Sequence, residues 1–304
     1  MKKFYLLLTM AILIVSCQKE TTSNHADVER DIQSAQTTQT LEPTIPNTNF
    51  TIEDEAFKDL HAELEELSLL YPTEVNSRGR VWRWFTCVIG GDVIGAAIGA
   101  CLGNPILGAI LGSLKGAGIA AGLNVNDRYI PKPQTPNPNM NIMSIAGNAQ
   151  YAGYLHNLII YDVYTTLGPN FENYSDAELE NCIATWAFTR MRKSVSATQA
   201  FYANSSYKTL LNYSLNNYNT LSSEQLFRNI SATYPSRANE IESICIFGEQ
   251  YAGYINQETK DNYTESFVST VQNSSISHDA KNFIISVVKV ANHSDNMWEL
   301  ATNN

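Results

Sequence analysis

The chain has 304 residues, of which 44% are hydrophobic and 16% are charged, and its formal net charge at pH 7 is −10. Its lysines and arginines form no long cluster outside residues 78–83, so the composition argues against nucleic acid as a partner. The length that remains after the N-terminal segments, roughly 250 residues, suffices for one large domain or two small ones.

Residues 1–17 predict a secretory signal that ends in a lipid attachment site. Two lysines precede an apolar run from Phe4 to Val15, which is too short to span a membrane. The run ends in Ile-Val-Ser-Cys, which resembles the lipobox of bacterial lipoproteins. This resemblance implies that Cys17 is acylated and anchors the mature chain in a lipid bilayer. The following Gln-Lys-Glu is similar to the charged tag of surface-exported lipoproteins of Bacteroidota, which implies an outer-membrane location with the cell surface favoured over the periplasmic leaflet.

The segment from residue 18 to residue 50 is rich in Thr, Gln, Asn, Ser and Glu and has few apolar positions. Such a composition cannot bury enough apolar surface to offset the conformational entropy lost on folding. We expect a disordered tether here. An acidic amphipathic helix follows, with a capping-box pattern at Thr51–Asp54 and apolar residues at helical spacing up to Tyr71-Pro72.

A glycine-rich segment then predicts a hairpin of two helices, residues 82–103 and 105–123, which completes a region spanning residues 51–123. Its glycines recur at every fourth position on each side of Asn104-Pro105, at Gly91, Gly95, Gly99, Gly103, Gly108, Gly112 and Gly116. A glycine inside a helix costs up to about 1 kcal/mol relative to alanine, so close helix packing must compensate. The stripes predict helix association, either between the two arms or with other copies of the chain.

Two environments for this glycine-zipper hairpin stay open. Each arm is near the length needed to cross a bilayer, and basic and aromatic residues at its base resemble an interfacial collar. Asp92 and Lys115 would each cost about 3 kcal/mol at mid-bilayer, but they lie at similar distances from the turn and could pair with each other. The same pair would fit a hairpin buried in a soluble helical core.

Residues 124–141, rich in proline and asparagine, predict a linker, and residues 142–304 predict an α-helical bundle of six or seven helices. Start signals with capping-box spacing occur at Ser175/Glu178, Ser196/Gln199 and Ser222/Gln225. The predicted helices span residues 142–167, 175–193, 196–218, 222–233, 236–257, 259–273 and 277–300. No segment shows the alternating polarity of a strand, so the predicted fold class is all-α.

The sequence contains no local motif of a catalytic or metal-binding site. No histidine pair or cysteine pair has zinc-site spacing, and neither a nucleophile elbow nor a phosphate-binding loop is present, so no metal and no cofactor are predicted. His156 is interpreted as a hydrogen-bonded structural histidine rather than a catalytic base. Because the envelope permits disulfides, Cys182 with Cys245 is the predicted pairing.

The segment VWRWFTCVIGGDVIGAAIGACLG resembles a recurring feature of uncharacterised secreted proteins of Bacteroidota and, more loosely, the glycine zippers of two-peptide bacteriocins. The resemblance implies that helices of this kind associate with each other, including at membranes. It identifies no catalytic residue in this chain. We therefore expect a lipid-anchored envelope or cell-surface protein with an interaction or structural role. Association of several copies of the chain into a homo-oligomer is compatible with this role. A membrane-active, pore-forming toxin and an envelope hydrolase are the alternatives.

Overall fold

A computed structural model describes residues 55–72, 90–121, 130–134, 145–217, 220–254 and 256–302, all of which belong to one unit of residues 45–304. These ranges contain α-helices and short 3-10 turns and no β-strand, as the all-α prediction requires. The helices are α1 (Glu55–Leu70), α2 (Gly90–Cys101), α3 (Pro105–Ala121), α4 (Ala152–Leu167), α5 (Asp176–Met191), α6 (Val195–Tyr202), α7 (Ser205–Asn217), α8 (Ser223–Thr233), α9 (Ala238–Tyr251), α10 (Gln257–Asn273) and α11 (His278–Thr302).

Several predictions fall outside the described residues. These are the signal segment with Cys17, the tether, the capping box at Thr51–Asp54, the basic and aromatic base of the hairpin at residues 78–84 and 128–129, and most of the linker. Within the linker, residues 130–134 are described and contain neither helix nor strand.

Helices α2 and α3 form the predicted hairpin, and their glycines lie against each other. A Cβ placed on Gly99 would lie 2.6 Å from the Asn104 carbonyl oxygen and 2.8 Å from the Gly108 Cα. Likewise, a Cβ on Gly95 would collide with the Gly108 carbonyl, and one on Gly91 with the Gly112 carbonyl. The backbones of the two arms therefore touch directly, which only glycine permits, and close contact restores dispersion energy that side chains would prevent.

The turn of the hairpin differs from the prediction at one glycine. Gly103 has a φ of 78°, a left-handed conformation, and a Cβ there would meet nothing within 4 Å. It therefore belongs to the turn and takes no part in the packing of the arms. The Asn104 side chain caps α3 by accepting a hydrogen bond from the Leu107 N–H at 3.2 Å, and Pro105 occupies the first helical position.

The hairpin lies in the core of the helical unit. Every residue from Gly90 to Ala100 is buried. Helices α7, α8 and α11 pack around α2, and helices α4, α5, α7 and α11 pack around α3. The hairpin and the C-terminal helices therefore share one hydrophobic core. Over the described ranges, no helix has the length and apolar character needed to cross a membrane.

Tyrosine hydroxyls connect the shell of helices to the hairpin backbone. The Tyr202 hydroxyl donates to the Leu107 carbonyl at 2.8 Å, and the Tyr207 hydroxyl donates to the Gly108 carbonyl at 2.9 Å. Both tyrosines are fully buried, and burial raises their pKa well above the ordinary value. The shell is thus hydrogen-bonded directly to the backbone of α3.

Two of the three predicted capping boxes are confirmed, at Ser175/Glu178 and Ser222/Gln225. The third is wrong, because α6 begins one residue earlier than Ser196. Ser194 has the extended conformation of a cap, and its side chain accepts a hydrogen bond from the Ala197 N–H. Because positions 194 and 196 are both serine, the sequence alone does not show which of them caps the helix. In the structure Ser194 is the cap.

The predicted helix boundaries differ in three further places. The helix predicted over residues 142–167 begins only at Ala152, after a 3-10 turn at Ala149–Tyr151, and residues 145–148 are not helical. The segment 196–218 divides at Ala203-Asn204 into α6 and α7, because the Asn204 side chain accepts from the Tyr207 N–H and starts a new helix. The segment 236–257 ends at Tyr251 and continues as a turn.

Helix α1 covers an apolar surface, as its amphipathic pattern predicts. Phe57, Leu60 and Leu64 are buried, and the helix packs on α9 and α10. His61 on the same face has its Nε2 2.9 Å from the Ser243 hydroxyl, and burial lowers its pKa.

Candidate functional site

Two features bring chemically active side chains together, and the first is a buried cluster around Asp92 on α2. Helices α4 and α11 supply its other members, His156, Asn157 and Ser294. The Ser294 hydroxyl donates to Asp92 Oδ2, and His156 Nε2 lies 3.6 Å from Asp92 Oδ1. We call these four residues the Asp92 cluster.

The hydrogen bonds fix the orientation of the histidine. The Asn157 side-chain amide donates to the His293 carbonyl at 2.7 Å, so its oxygen remains as the acceptor for His156 Nδ1 at 2.9 Å. Nδ1 therefore carries a proton. Within the described part of the chain, His156 Nε2 and Asp92 Oδ1 have no other hydrogen-bond partner. Their contact is attractive only when one of these two atoms holds a proton.

The Asp92 cluster has the residue types of a hydrolase triad without its geometry. Asp92 lies between the serine and the histidine, so the histidine does not contact the hydroxyl that it would have to deprotonate. Asp92, His156 and Ser294 are all fully buried, which leaves no room for a substrate. The arrangement supports a structural connection between the hairpin and the helices around it.

Helix α11 carries a second polar network beside the first. Asp295, next in sequence to Ser294, lies 2.6 Å from the Lys260 ammonium on α10 and accepts a hydrogen bond from the Tyr251 hydroxyl on α9. Two residues before Asp295, burial lowers the pKa of His293 to about 4, and the Lys289 ammonium acts in the same direction. The last turns of α11 thus connect α2, α9 and α10 through polar groups.

The predicted ion pair between Asp92 and Lys115 is wrong. The Lys115 ammonium lies 2.7 Å from Asp176 Oδ2 on α5 and also donates to Asn212 on α7. The two residues have similar depth in the hairpin, but they face different helices of the shell. Distance from the turn gives depth along a hairpin and does not give the face on which a side chain lies.

The predicted disulfide is also absent, since Cys182 and Cys245 are both free thiols, as is Cys101. The side chains of Cys182 and Cys245 have different surroundings. Cys182 on α5 is close to Thr166, whereas Cys245 on α9 is buried among side chains of α8 and α9. Burial raises the pKa of both thiols.

The second feature is an open cleft of about 730 Å³ at the turn of the hairpin. We call it the turn cleft. Its walls are the hairpin turn, the segment that precedes α4, the end of α5 and the first turns of α11. The apolar part of its lining includes Leu102, Pro105, Ile106, Met191 and Phe283.

Three basic side chains line the turn cleft, in an acidic protein. Arg237 lies 2.7 Å from Asp279 and 2.8 Å from Glu240, so its charge is balanced. The exposed Lys193 has no carboxylate within 4 Å among the described residues. Arg192 caps the end of α5 with a φ of 57°, where its backbone N–H donates to the Phe188 carbonyl. The cleft can therefore offer positive charge to a ligand.

The Cys101 thiol also lies at the turn cleft. Burial raises its pKa to about 12, although the nearby Arg237 charge acts in the opposite direction. The thiol is therefore protonated and unreactive at neutral pH. In the described ranges, no three side chains of His, Cys, Asp or Glu come together as metal ligands would.

The sequence did not point to the turn cleft. Arg192 and Lys193 follow a predicted helix, and Arg237 follows another, so nothing in their spacing brings them together. An arginine in place of the glycine or asparagine that usually ends a helix is the one local signal that could have marked the site. Comparison with protein-family models, with curated proteins and with solved structures finds no match to this chain.

Proposed function

We propose that the chain is a lipid-anchored protein of the bacterial envelope with a binding role. In this proposal Cys17 holds the chain on a bilayer, and residues 18–50 tether the helical unit to it. The helical unit presents the turn cleft to a partner or ligand, and the hairpin serves as its internal framework.

The observation that carries the binding role is the burial of the hairpin. Its glycine faces lie against each other, and every residue from Gly90 to Ala100 is covered by neighbouring helices. In this arrangement the stripes are not available to a second copy of the chain. The turn cleft opens to the surface at the hairpin turn and brings together polar and apolar groups, as ligand sites do.

Membrane retention of a Cys17→Ala variant tests the anchoring. The variant keeps its signal segment and is compared with the wild-type chain after alkaline and urea washing of membranes. We expect the wild type to stay with the membrane and the variant to wash off, because acylation supplies the attachment. Retention of the variant would contradict the proposal and would mean that the polypeptide itself inserts.

A second candidate function, membrane insertion by the hairpin, is favoured by a different observation. Over their described lengths, α2 and α3 carry one charge each, and both charges are paired with shell residues. If the shell opened, the hairpin would expose two almost uncharged helices. In this candidate, hairpins from several copies enter a target bilayer.

Dye release from liposomes separates the two candidates. The mature chain without lipid, residues 17–304 with Cys17→Ala, is added to dye-filled vesicles of anionic and of neutral lipid. A binding protein leaves the vesicles intact, whereas a membrane-active protein causes leakage. Leakage caused by this chain, and loss of that leakage when Gly99→Leu is added with unchanged circular dichroism, would favour insertion over the binding role.

A further inference from the structure

We propose that α1 is a pH-sensitive cover over α9 and α10, and that its N-terminal half, residues 55–64, opens when His61 gains a proton. At neutral pH the apolar face of α1 packs against these two helices, and acid weakens this contact. The response depends neither on the turn cleft nor on the lipid anchor, so it goes beyond the binding role proposed above.

His61 lies on the face of α1 that packs against the rest of the helical unit. Its side chain is buried, and its ring centre lies 5.9 Å from that of Phe57, one turn earlier. Leu60 and Leu64 on the same face are fully buried. A charge on His61 would therefore have to be held on an apolar face that excludes water, which costs free energy unless the charge is paired.

The hydrogen bonds around His61 leave one ring nitrogen without a partner. The Ser243 hydroxyl donates its proton to the Asn239 carbonyl at 3.1 Å, so it accepts a hydrogen bond from His61 Nε2 at 2.9 Å. Nε2 therefore carries the proton of the neutral ring. Nδ1 is buried and, within the described ranges, has no hydrogen-bond partner. A second proton, on Nδ1, has no acceptor in the closed arrangement, so acid favours movement of the ring toward water.

The charged groups of the three helices do not neutralise a proton on His61. Several are held in ion pairs with other groups, namely Lys58 with Glu55, Glu240 with Arg237, Lys260 with Asp295 and Glu265 with Lys289. The other charged groups on α1, α9 and α10 are Asp59, Glu63, Glu65, Glu66, Glu242, Glu249, Glu258 and Asp261, with Glu224 and Arg228 of α8 near Glu242. In the part of the chain that the structure describes, no carboxylate oxygen lies within 4 Å of a His61 ring nitrogen.

His61 and Glu242 respond to acid with opposite signs. Burial lowers the pKa of His61 from 6.5, so the closed state binds fewer protons than the open one, and closure weakens as the pH falls below about 6.5. Burial raises the pKa of Glu242, and the charge of Glu65 on α1 acts in the same direction. Glu242 therefore gains a proton more readily in the closed state and favours closure in acid. Replacing His61 by a side chain that does not titrate separates the two effects.

The C-terminal end of α1 is held by neutral hydrogen bonds. The Gln250 side-chain amide donates to the Ser68 carbonyl at 3.0 Å and to the Tyr71 carbonyl at 2.6 Å. The Tyr254 hydroxyl also donates to the Tyr71 carbonyl, at 2.9 Å. Amides and tyrosine hydroxyls carry no charge in acid. This end of the helix therefore stays attached, and opening is confined to the half that contains His61.

Hydrogen–deuterium exchange, resolved by peptide and corrected for the intrinsic pH dependence of exchange, tests the cover between about pH 7.5 and about pH 5. The mature chain with Cys17→Ala is the parent. It is compared with the same chain carrying His61→Gln, whose amide can still donate to Ser243 but does not titrate. As the pH falls below about 6.5, protection of residues 55–64 in the variant relative to the parent should increase, by up to about thirtyfold at pH 5, since one proton contributes at most about tenfold per pH unit. Residues 66–72 should show a constant ratio.

A matched control removes a different histidine. His278→Gln changes an exposed residue at the start of α11 and should behave like the parent. If His61→Gln does not fold at neutral pH, His61→Leu takes its place, because an apolar side chain suits the buried face. A ratio over residues 55–64 that does not change with pH would overturn the proposal. So would a change that extends equally to α4 and α11, since it would report global unfolding, and neither result would bear on the turn cleft.

Discussion

Replacing Gly99 by alanine should separate the two arms of the hairpin, although alanine is the better helix former. The new Cβ would lie 2.6 Å from the Asn104 carbonyl oxygen and 2.8 Å from the Gly108 Cα, and both atoms belong to the backbone. Ordinary contacts between carbon atoms are about 3.5 Å or longer, so the arms would have to move apart by several tenths of an ångström. Overpacking of this kind costs about 3 kcal/mol, and the helix propensity of alanine returns about 1 kcal/mol.

The expected net loss is therefore about 2 kcal/mol, or a fall in melting temperature of roughly 4–8 °C for a unit of this size. Thermal and urea unfolding followed by circular dichroism measure both quantities. Gly103→Asn is the control, because a Cβ at Gly103 meets nothing within 4 Å and asparagine tolerates positive φ. If Gly99→Ala were neutral or stabilising, the close packing of the arms would not be what holds the hairpin together.

Three other changes test the contacts around the hairpin. Ser294→Ala removes the hydroxyl that donates to the buried Asp92 carboxylate, so urea unfolding should show a loss of about 2 kcal/mol. Tyr207→Phe should cost about 1 kcal/mol, because the Gly108 carbonyl loses one hydrogen bond but keeps its place in α3, and a loss above about 3 kcal/mol would contradict this. Since burial lowers the pKa of His293 from 6.5 to about 4, the unfolded chain binds more protons between these values, and stability should fall as the pH decreases through that window, by at most about 3 kcal/mol. Replacing this histidine by glutamine should flatten the unfolding midpoint against pH there, and an unchanged profile would argue against the assignment.

The positions of the helices could be predicted largely from the sequence, because the signals that start and stop them are local. Ser175 and Ser222 precede acidic or amide side chains at the right spacing, and the structure confirms both capping boxes. Where the local signals compete, the prediction is less accurate. Ser194 rather than Ser196 caps α6, and Asn204 interrupts what the periodicity predicts as one helix.

The pairing partners of side chains could not be predicted in this way. Asp92 and Lys115 have matching depths and opposite charges, but each contacts a different part of the shell. Cys182 and Cys245 lie on helices with different surroundings and are both free thiols. A partner depends on which faces two helices turn toward each other, and the spacing of residues within one helix does not contain that information.

The sequence by itself determined the all-α class, the glycine spacing that allows two backbones to touch, and the turn between the arms, because these depend on conformational preferences of neighbouring residues. Only the tertiary structure decided that the glycine stripes face each other inside a shell of helices. It also decided that Arg192, Lys193 and Arg237, from separate segments, line one cleft. Burial and convergence depend on how distant segments pack, and packing is settled by the fit of whole surfaces, which no local pattern encodes.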